Sequence, residues 1–149
     1  MTTLAILGLL EGTPLELSHA DLSSMPEAYQ VPDVGVHVKG RTGRAIRFRA
    51  LLHDRDLLDN SRWIDILSTD GFAASLPIEE IADDGLILYA NEDVPLTQDA
   101  GGPFRLMIPN YRDACASVKH LASIAFSDQP GKDTRPKSEP GGDACTLDR

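Results

Sequence analysis

The apolar positions of this chain fall in short blocks separated by turn residues, and most of the blocks predict strands. The clearest pattern runs from Trp63 to Ile81, WIDILSTDGFAASLPIEEI. It predicts two strands joined by a tight turn, then a helix. Asp70-Gly71 fits the central pair of a two-residue hairpin turn, where positive φ is needed and glycine adopts it freely. With that turn, Trp63, Leu67 and Thr69 share a face with Phe72, Ala74 and Leu76. Ile64, Ile66, Ala73 and Ser75 take the other face. Apolar groups on both faces predict a hairpin inside the core, with Trp63, Leu67, Phe72 and Leu76 largely buried. Pro77 stops the second strand, and the acids of IEEIA open a short helix where the helix dipole favours them.

The same punctuation divides the rest of the chain. Leu4 to Leu10 predicts a first strand, broken by Glu11-Gly12-Thr13-Pro14, and Leu15-Glu16-Leu17 a second. Ser18 caps a short helix, with Asp21 in the capping-box position, and Met25-Pro26 ends it. Tyr29 to Val38 alternates and reads as extended, with Pro32 holding its start to an edge or bulge. A loop over Lys39 to Arg44 leads through Ala45-Ile46-Arg47-Phe48 into a helix carrying Leu51, Leu52, Leu57 and Leu58. Leu86 to Ala90 and Phe104 to Ile108 read as strands, with a polar connection and the rigid Gly101-Gly102-Pro103 turn between them. Pro109 closes the second of these, Asn110 to Ser117 forms a loop, and Val118 to Phe126 is the last apolar segment. The expected domain covers 1–126. From Ser127 onward, proline, glycine and charge leave little to bury, which predicts a disordered or loosely packed tail over 127–149.

Composition narrows the function classes. A chain of 149 residues makes one domain with a real core. Its net charge of -9 and pI of about 4.7 argue against nucleic acid or an anionic membrane as a partner, because neither rewards an acidic surface. No apolar run approaches the roughly 18 residues that a membrane helix needs. LAILGLL has no basic residue before it and no small-residue cleavage site after it. It therefore reads as a buried strand, and the expected location is cytoplasmic. Cys115 and Cys145 are too few for a disulfide framework and lack metal-ligand spacing.

Candidate chemistry is sparse. Lys39-Gly40-Arg41-Thr42-Gly43-Arg44 is the most basic and glycine-rich short run. Cations beside glycine amides can hold a phosphate, although a solvated loop explains the same residues more cheaply without Walker spacing. His19, His37, His53 and His120 show neither HxH nor HExxH spacing, and Ser68, Ser75 and Ser117 lack a GxSxG context. Glu79-Glu80 and Asp83-Asp84 read as a solvated acidic face rather than a cation site. Cys115, close to Arg112 and Lys119, is a candidate reactive thiol, with a buried free cysteine the plainer reading. No catalytic residue and no metal-ligand set stands out.

STDGFAASLPIEEI, ILYANEDVPLTQDAGGPFRLMIP and CASVKHLASIAF together resemble the molybdopterin-binding domain of the sulfite oxidase family of oxidoreductases. That family carries a similar DGY..SLP-EE hairpin, a LAYE-NGEPL---HGGPLRL-VP block and a KS-KWL--IE ending. The opening GLLEGTPLELSHADL and the later GRAIRFRALL fit as well, so the likeness spans about Leu4 to Phe126. The resemblance implies an α+β fold with a mixed, irregular sheet and short helices. It also implies a site built around molybdopterin, in which a cysteine thiolate binds the molybdenum. The corresponding segment here, VPDVGVHVKGRTG, contains no cysteine; His37 is its nearest residue with ligand chemistry, and an imidazole in place of a soft thiolate makes a different site. Ser117 and Lys119 match the family's serine and second lysine. His120 stands where a tryptophan is usual, and Ala116 where a lysine helps hold the pterin phosphate. The expectation is therefore a short, stand-alone, non-catalytic relative with no bound cofactor. It would bind a small anionic ligand or a protein partner in the former pterin cleft. The candidate residues are Lys39, Arg41 and Arg44 from the loop, with Arg112, Ser117 and Lys119 from the closing motif. The alternative is a molybdopterin-dependent oxidoreductase with an altered metal site at His37 or Cys115.

Overall fold

In the computed structural model, which describes residues 3–8, 14–52, 62–91, 94–109 and 117–131, the apolar blocks form two sheets around a shared core. The first sheet holds β1 (Thr3–Leu7), β2 (Leu15–Ser18), β5 (Trp63–Ser68), β6 (Ala73–Pro77) and β10 (Leu121–Ser127), in the order β2-β1-β10-β5-β6. The second runs β3 (Gln30–Val31), β4 (Arg44–Arg47), β7 (Leu86–Asn91), β8 (Val94–Pro95), with β9 (Arg105–Met107) also paired to β7. β1 and β10 pair in parallel and every other described pair is antiparallel, so the first sheet is mixed, as the resemblance implies. Among the described residues, three short helices, α1 (His19–Ser23), α2 (Arg49–Leu52) and α3 (Ile78–Ile81), complete an α+β fold. Among the described residues no helix is long and apolar enough to cross a membrane.

The core forms where the two sheets face each other. Leu4 and Ile6 of β1, Ile64 and Ile66 of β5, and Ile124 of β10 pack in one cluster with Ile46 of β4 and with Ile87 and Tyr89 of β7. Each such side chain contributes about 1.5–3 kcal/mol by leaving water. The outer face of the second sheet has its own cluster, in which Ala45, Leu86, Leu88 and Met107 lie under Val34, Val38 and Leu96. Covered on both faces, β7 is apolar at consecutive positions, which is why LILY lacks alternation.

The β5–β6 hairpin departs from its sequence reading by one residue. Ser68 N donates to Phe72 O at 2.9 Å and Gly71 N to Ser68 O at 3.2 Å, so Thr69 to Gly71 make a three-residue loop with Gly71 at φ 93°. The side chains explain the wider turn: Phe72 N also donates to Ser68 Oγ (3.0 Å) and Asp70 Oδ1 (3.2 Å). Ile64 therefore pairs with Leu76 and Ile66 with Ala74, and these four face the core. A one-residue slip turns a strand over relative to its partner. Leu76 is buried as expected, but Trp63 and Phe72 are half-buried and Leu67 is 43% exposed.

Other differences are local. The capping box forms, with Asp21 N donating to Ser18 Oγ (3.2 Å) and Ser18 N to Asp21 Oδ2 (2.8 Å). Of the expected extended run Tyr29 to Val38, Gln30–Val31 alone is a strand; Val34–Val36 coils into a 3-10 turn because Asp33 Oδ1 accepts from Gly35 N at 2.8 Å. The described part of the helix after Phe48 ends at Leu52, and Leu57 and Leu58 lie outside the described residues. β10 continues through Ser127, and Gly131 N donates to Ser75 Oγ at 2.9 Å. Residues 132–149 lie outside the described residues.

Candidate functional site

Two segments remote in sequence meet at the Gly101-Gly102-Pro103 turn. A 3-10 turn over Gln98–Ala100 ends on Gly101, whose φ of 96° is left-handed, and Gly102 N donates to Thr97 O at 2.8 Å. The chain then enters β9, and residues 118–121 lie alongside it. Leu106 N donates to Val118 O (2.8 Å), Val118 N to Leu106 O (2.9 Å), and Leu121 N to Phe104 O (2.8 Å). This ladder sets Lys119 beside Gly101. A Cβ added to Gly101 would lie 3.1 Å from Arg105 Cδ and 3.3 Å from Lys119 Cγ, so two cationic side chains flank the bare backbone of one glycine.

Arg105 is the residue that sequence reasoning passed over. It is 4% exposed, and its Nη1 donates to Ala100 O at 3.5 Å. Burying a guanidinium costs several kcal/mol unless acceptors or counter-charge surround it. The available signal was a lone cation within the apolar run FRLMI.

His120 holds the turn in place. Its backbone N donates to Gly101 O at 2.7 Å and its Nδ1 lies 2.8 Å from Gly102 O. A carbonyl only accepts, so Nδ1 carries the proton there. His120 is also the one non-glycine residue with positive φ, 54°, among the described residues. Its own carbonyl accepts from Thr69 N at 2.8 Å, which ties the Gly101 turn to the hairpin loop.

A cavity of about 110 Å³ opens at this junction, lined by Ser68, Asp70, Phe72, Ser117, Lys119 and His120. Ser117 Oγ accepts from Ile108 N at 3.3 Å, which leaves its proton to donate elsewhere. The hydrogen bond from the Ser68 hydroxyl, then that from Phe72 N, hold the Asp70 carboxyl below its usual range. The cavity is therefore polar and of mixed charge, with Lys119 and the Asp70 carboxylate of the exposed hairpin tip both in its lining.

The six expected site residues fall in different places. Ser117 and Lys119 line the junction cavity together. Arg44 begins β4 opposite Ala90 and reaches Tyr89, whose hydroxyl is pushed up by burial and partly restored by that guanidinium. Lys39 and Arg41 lie in the loop over the outer cluster of the second sheet, with Arg41 N donating to Val38 O at 3.1 Å. Arg112 lies outside the described residues, as do Cys115 and Cys145. His37 is exposed after the 3-10 turn, and no group of three or more His, Cys, Asp or Glu is arranged to hold a metal ion among the described residues.

Comparison with known proteins adds two findings. The family profile of the oxidoreductase molybdopterin binding domain matches residues 42–135, well over half of the chain. Among solved structures, the fold is similar to that of the sulfane dehydrogenase SoxCD from Paracoccus pantotrophus, with a TM-score of 0.65 at 19% identity. The alignment covers 87% of this chain and 39% of that one, and at that identity the likeness shows the fold. No curated protein matches the sequence.

Proposed function

The chain belongs to the oxidoreductase molybdopterin-binding domain family, and on that premise we propose that it binds a small phosphate-bearing ligand at the Gly101 turn without turning over a substrate of its own. The observation that supports this reading is that the Arg105 and Lys119 side chains both lie against the position a Cβ of Gly101 would take. In a chain of net charge -9, two cations converging on one backbone position make a local exception to the surface field.

The residues present fit the phosphate end of molybdopterin. Arg105 brings a guanidinium, Lys119 an ammonium and Ser117 a hydroxyl, groups suited to tetrahedral oxyanions. The metal end is less well served. The segment that resembles the family's thiolate-bearing stretch has no cysteine, and the described residues form no cluster of metal ligands. When bound, that cofactor supplies oxidation and reduction at its metal. This chain's described residues would supply anchoring: Arg105 and Lys119 would hold the phosphate, and His120 orients the turn through Gly101 O and Gly102 O.

Titration of inorganic phosphate into the purified full chain, followed by NMR or calorimetry, tests the site. Saturable binding that weakens with salt is expected, with at least a tenfold loss in Lys119→Ala. Arg41→Ala, alone and combined with Lys119→Ala, measures what the glycine-rich loop adds. Unchanged binding in Lys119→Ala removes the site. Molybdenum near one per chain, with turnover of sulfite or a sulfoxide, overturns the non-catalytic part of the reading.

A further inference from the structure

At the same turn, Pro103 and Phe104 help to line a second cavity of about 450 Å³, with His19 and Ala20 of α1, Tyr89 of β7, and Leu96. We propose that this cavity binds a small neutral aromatic ring carrying one N–H donor. The proposal does not depend on phosphate binding, since no residue of the cationic site lines this space.

The first turn of α1 and the Tyr89 wall are fixed before any ligand arrives. The Ser18–Asp21 capping box sets the first turn of α1 and commits the Ser18 hydroxyl to Asp21 at 3.0 Å. That turn places the His19 ring edge-on to Tyr89, with centroids 5.5 Å apart and planes at 65°. The Tyr89 hydroxyl donates to Gln30 Oε1 at 2.7 Å, and Gln30 Nε2 donates to Leu22 O at 2.8 Å and Met25 O at 3.2 Å. A wall held this way spends little order on binding.

The lining selects the ligand. None of its residues is Lys, Arg, Asp or Glu, which leaves nothing to compensate a buried ligand charge. Tyr89, Phe104 and the imidazole offer faces and edges to an aromatic ring. The volume lies at the small end of ligand pockets, which span about 300–1,000 Å³, and suits one bicyclic ring. His19 Nε2 is buried with no hydrogen-bond partner. A buried polar atom in that state favours a ligand that brings one. An N–H donor on the ring does so once the imidazole turns Nε2 toward the cavity.

Indole is the probe, with indene as its near-isostere lacking the N–H, measured on the full chain by ligand-observed NMR and thermal shift. Saturable indole binding is expected, severalfold tighter than indene. Ala20→Trp fills the cavity from an exposed helix position and should lower indole affinity at least tenfold while phosphate binding is retained. Ala20→Leu is the smaller block if tryptophan disturbs the helix. His19→Phe should bring indole and indene to equal affinity. Non-saturating indole, equal affinities in the parent chain, or parent-like binding in the folded blocking variants would each overturn the proposal.

Discussion

Gly71 and Gly101 share a backbone conformation, with φ of 93° and 96°, and differ in everything around it. An added Cβ at Gly71 meets nothing within 4 Å, whereas at Gly101 it meets Arg105 and Lys119. Gly71→Ala should therefore cost only the left-handed strain, about 1–2 kcal/mol by urea denaturation, and leave phosphate binding intact. Gly101→Ala carries the same strain and also displaces the two cations, so its phosphate affinity should fall. At the neighbouring Asp70, a carboxyl held low by Ser68 and then Phe72 makes the folded state the weaker proton binder. Its stabilisation is present above the unfolded carboxyl value of about 3.9 and lost as pH falls through the lower folded value. The melting-temperature gap between the parent and Asp70→Asn should be open at neutral pH and close in strong acid. Ser117 and Lys119 were legible because they stand in a recognisable closing motif. Arg105 matches the arginine of the GGPLRL block, but its burial was not legible, because that depends on residues 118–121 lying alongside β9, a contact that FRLMI alone does not reveal.

At the scale of elements, the hairpin shows where pattern reading reaches its limit. Asp70-Gly71 marks a turn correctly, but a two-residue and a three-residue loop leave nearly the same signature. The choice rests on Phe72 N bonding to the Ser68 and Asp70 side chains. Apolar residues on both faces then hide the register that alternation would have revealed. Stability separates the two registers. Leu67→Lys, at a 43% exposed position, should change unfolding free energy by no more than about 0.5 kcal/mol. Ile66→Ala, at a 1% exposed position, should cost about 2–5 kcal/mol. Chemical denaturation of the two variants is the check, and a Leu67 buried as the sequence reading expects would make Leu67→Lys costly as well. The run from Tyr29 to Val38 failed for a related reason. Its spaced valines look like a strand, yet the Asp33 side chain captures Gly35 N, and Val34 N bonds to Gly43 O at 2.9 Å, so the local alternative wins.

At the scale of the molecule, the first sheet is closed by the last described strand. β10 lies between β1, its parallel partner, and β5, so residues 3–7 and 121–127 pair across almost the whole described chain. Local pattern supplies each strand, but their order is a long-range fact that periodicity did not reveal; the resemblance implied only that the sheet is mixed and irregular. The end of the domain shows the same division. The last apolar block ends at Phe126, which sets the expected boundary, yet residues 127–131 are held by polar bonds that an apolar pattern cannot show. Arg62 N donates to Ser127 O at 2.8 Å, and Gly131 N donates to Ser75 Oγ, which in turn donates to Asp65 Oδ1 at 2.8 Å. Each such bond contributes about 0.5–1.5 kcal/mol net, and loss of the Gly131 donor also leaves Ser75, 4% exposed, with one bond fewer. Two truncations isolate this segment, one ending at Gly131 and one at Phe126. The shorter chain should be less stable by about 1–3 kcal/mol in urea, the sum of the two direct bonds. Equal stability would place the working boundary at Phe126 and reduce the contacts of residues 127–131 to surface dressing.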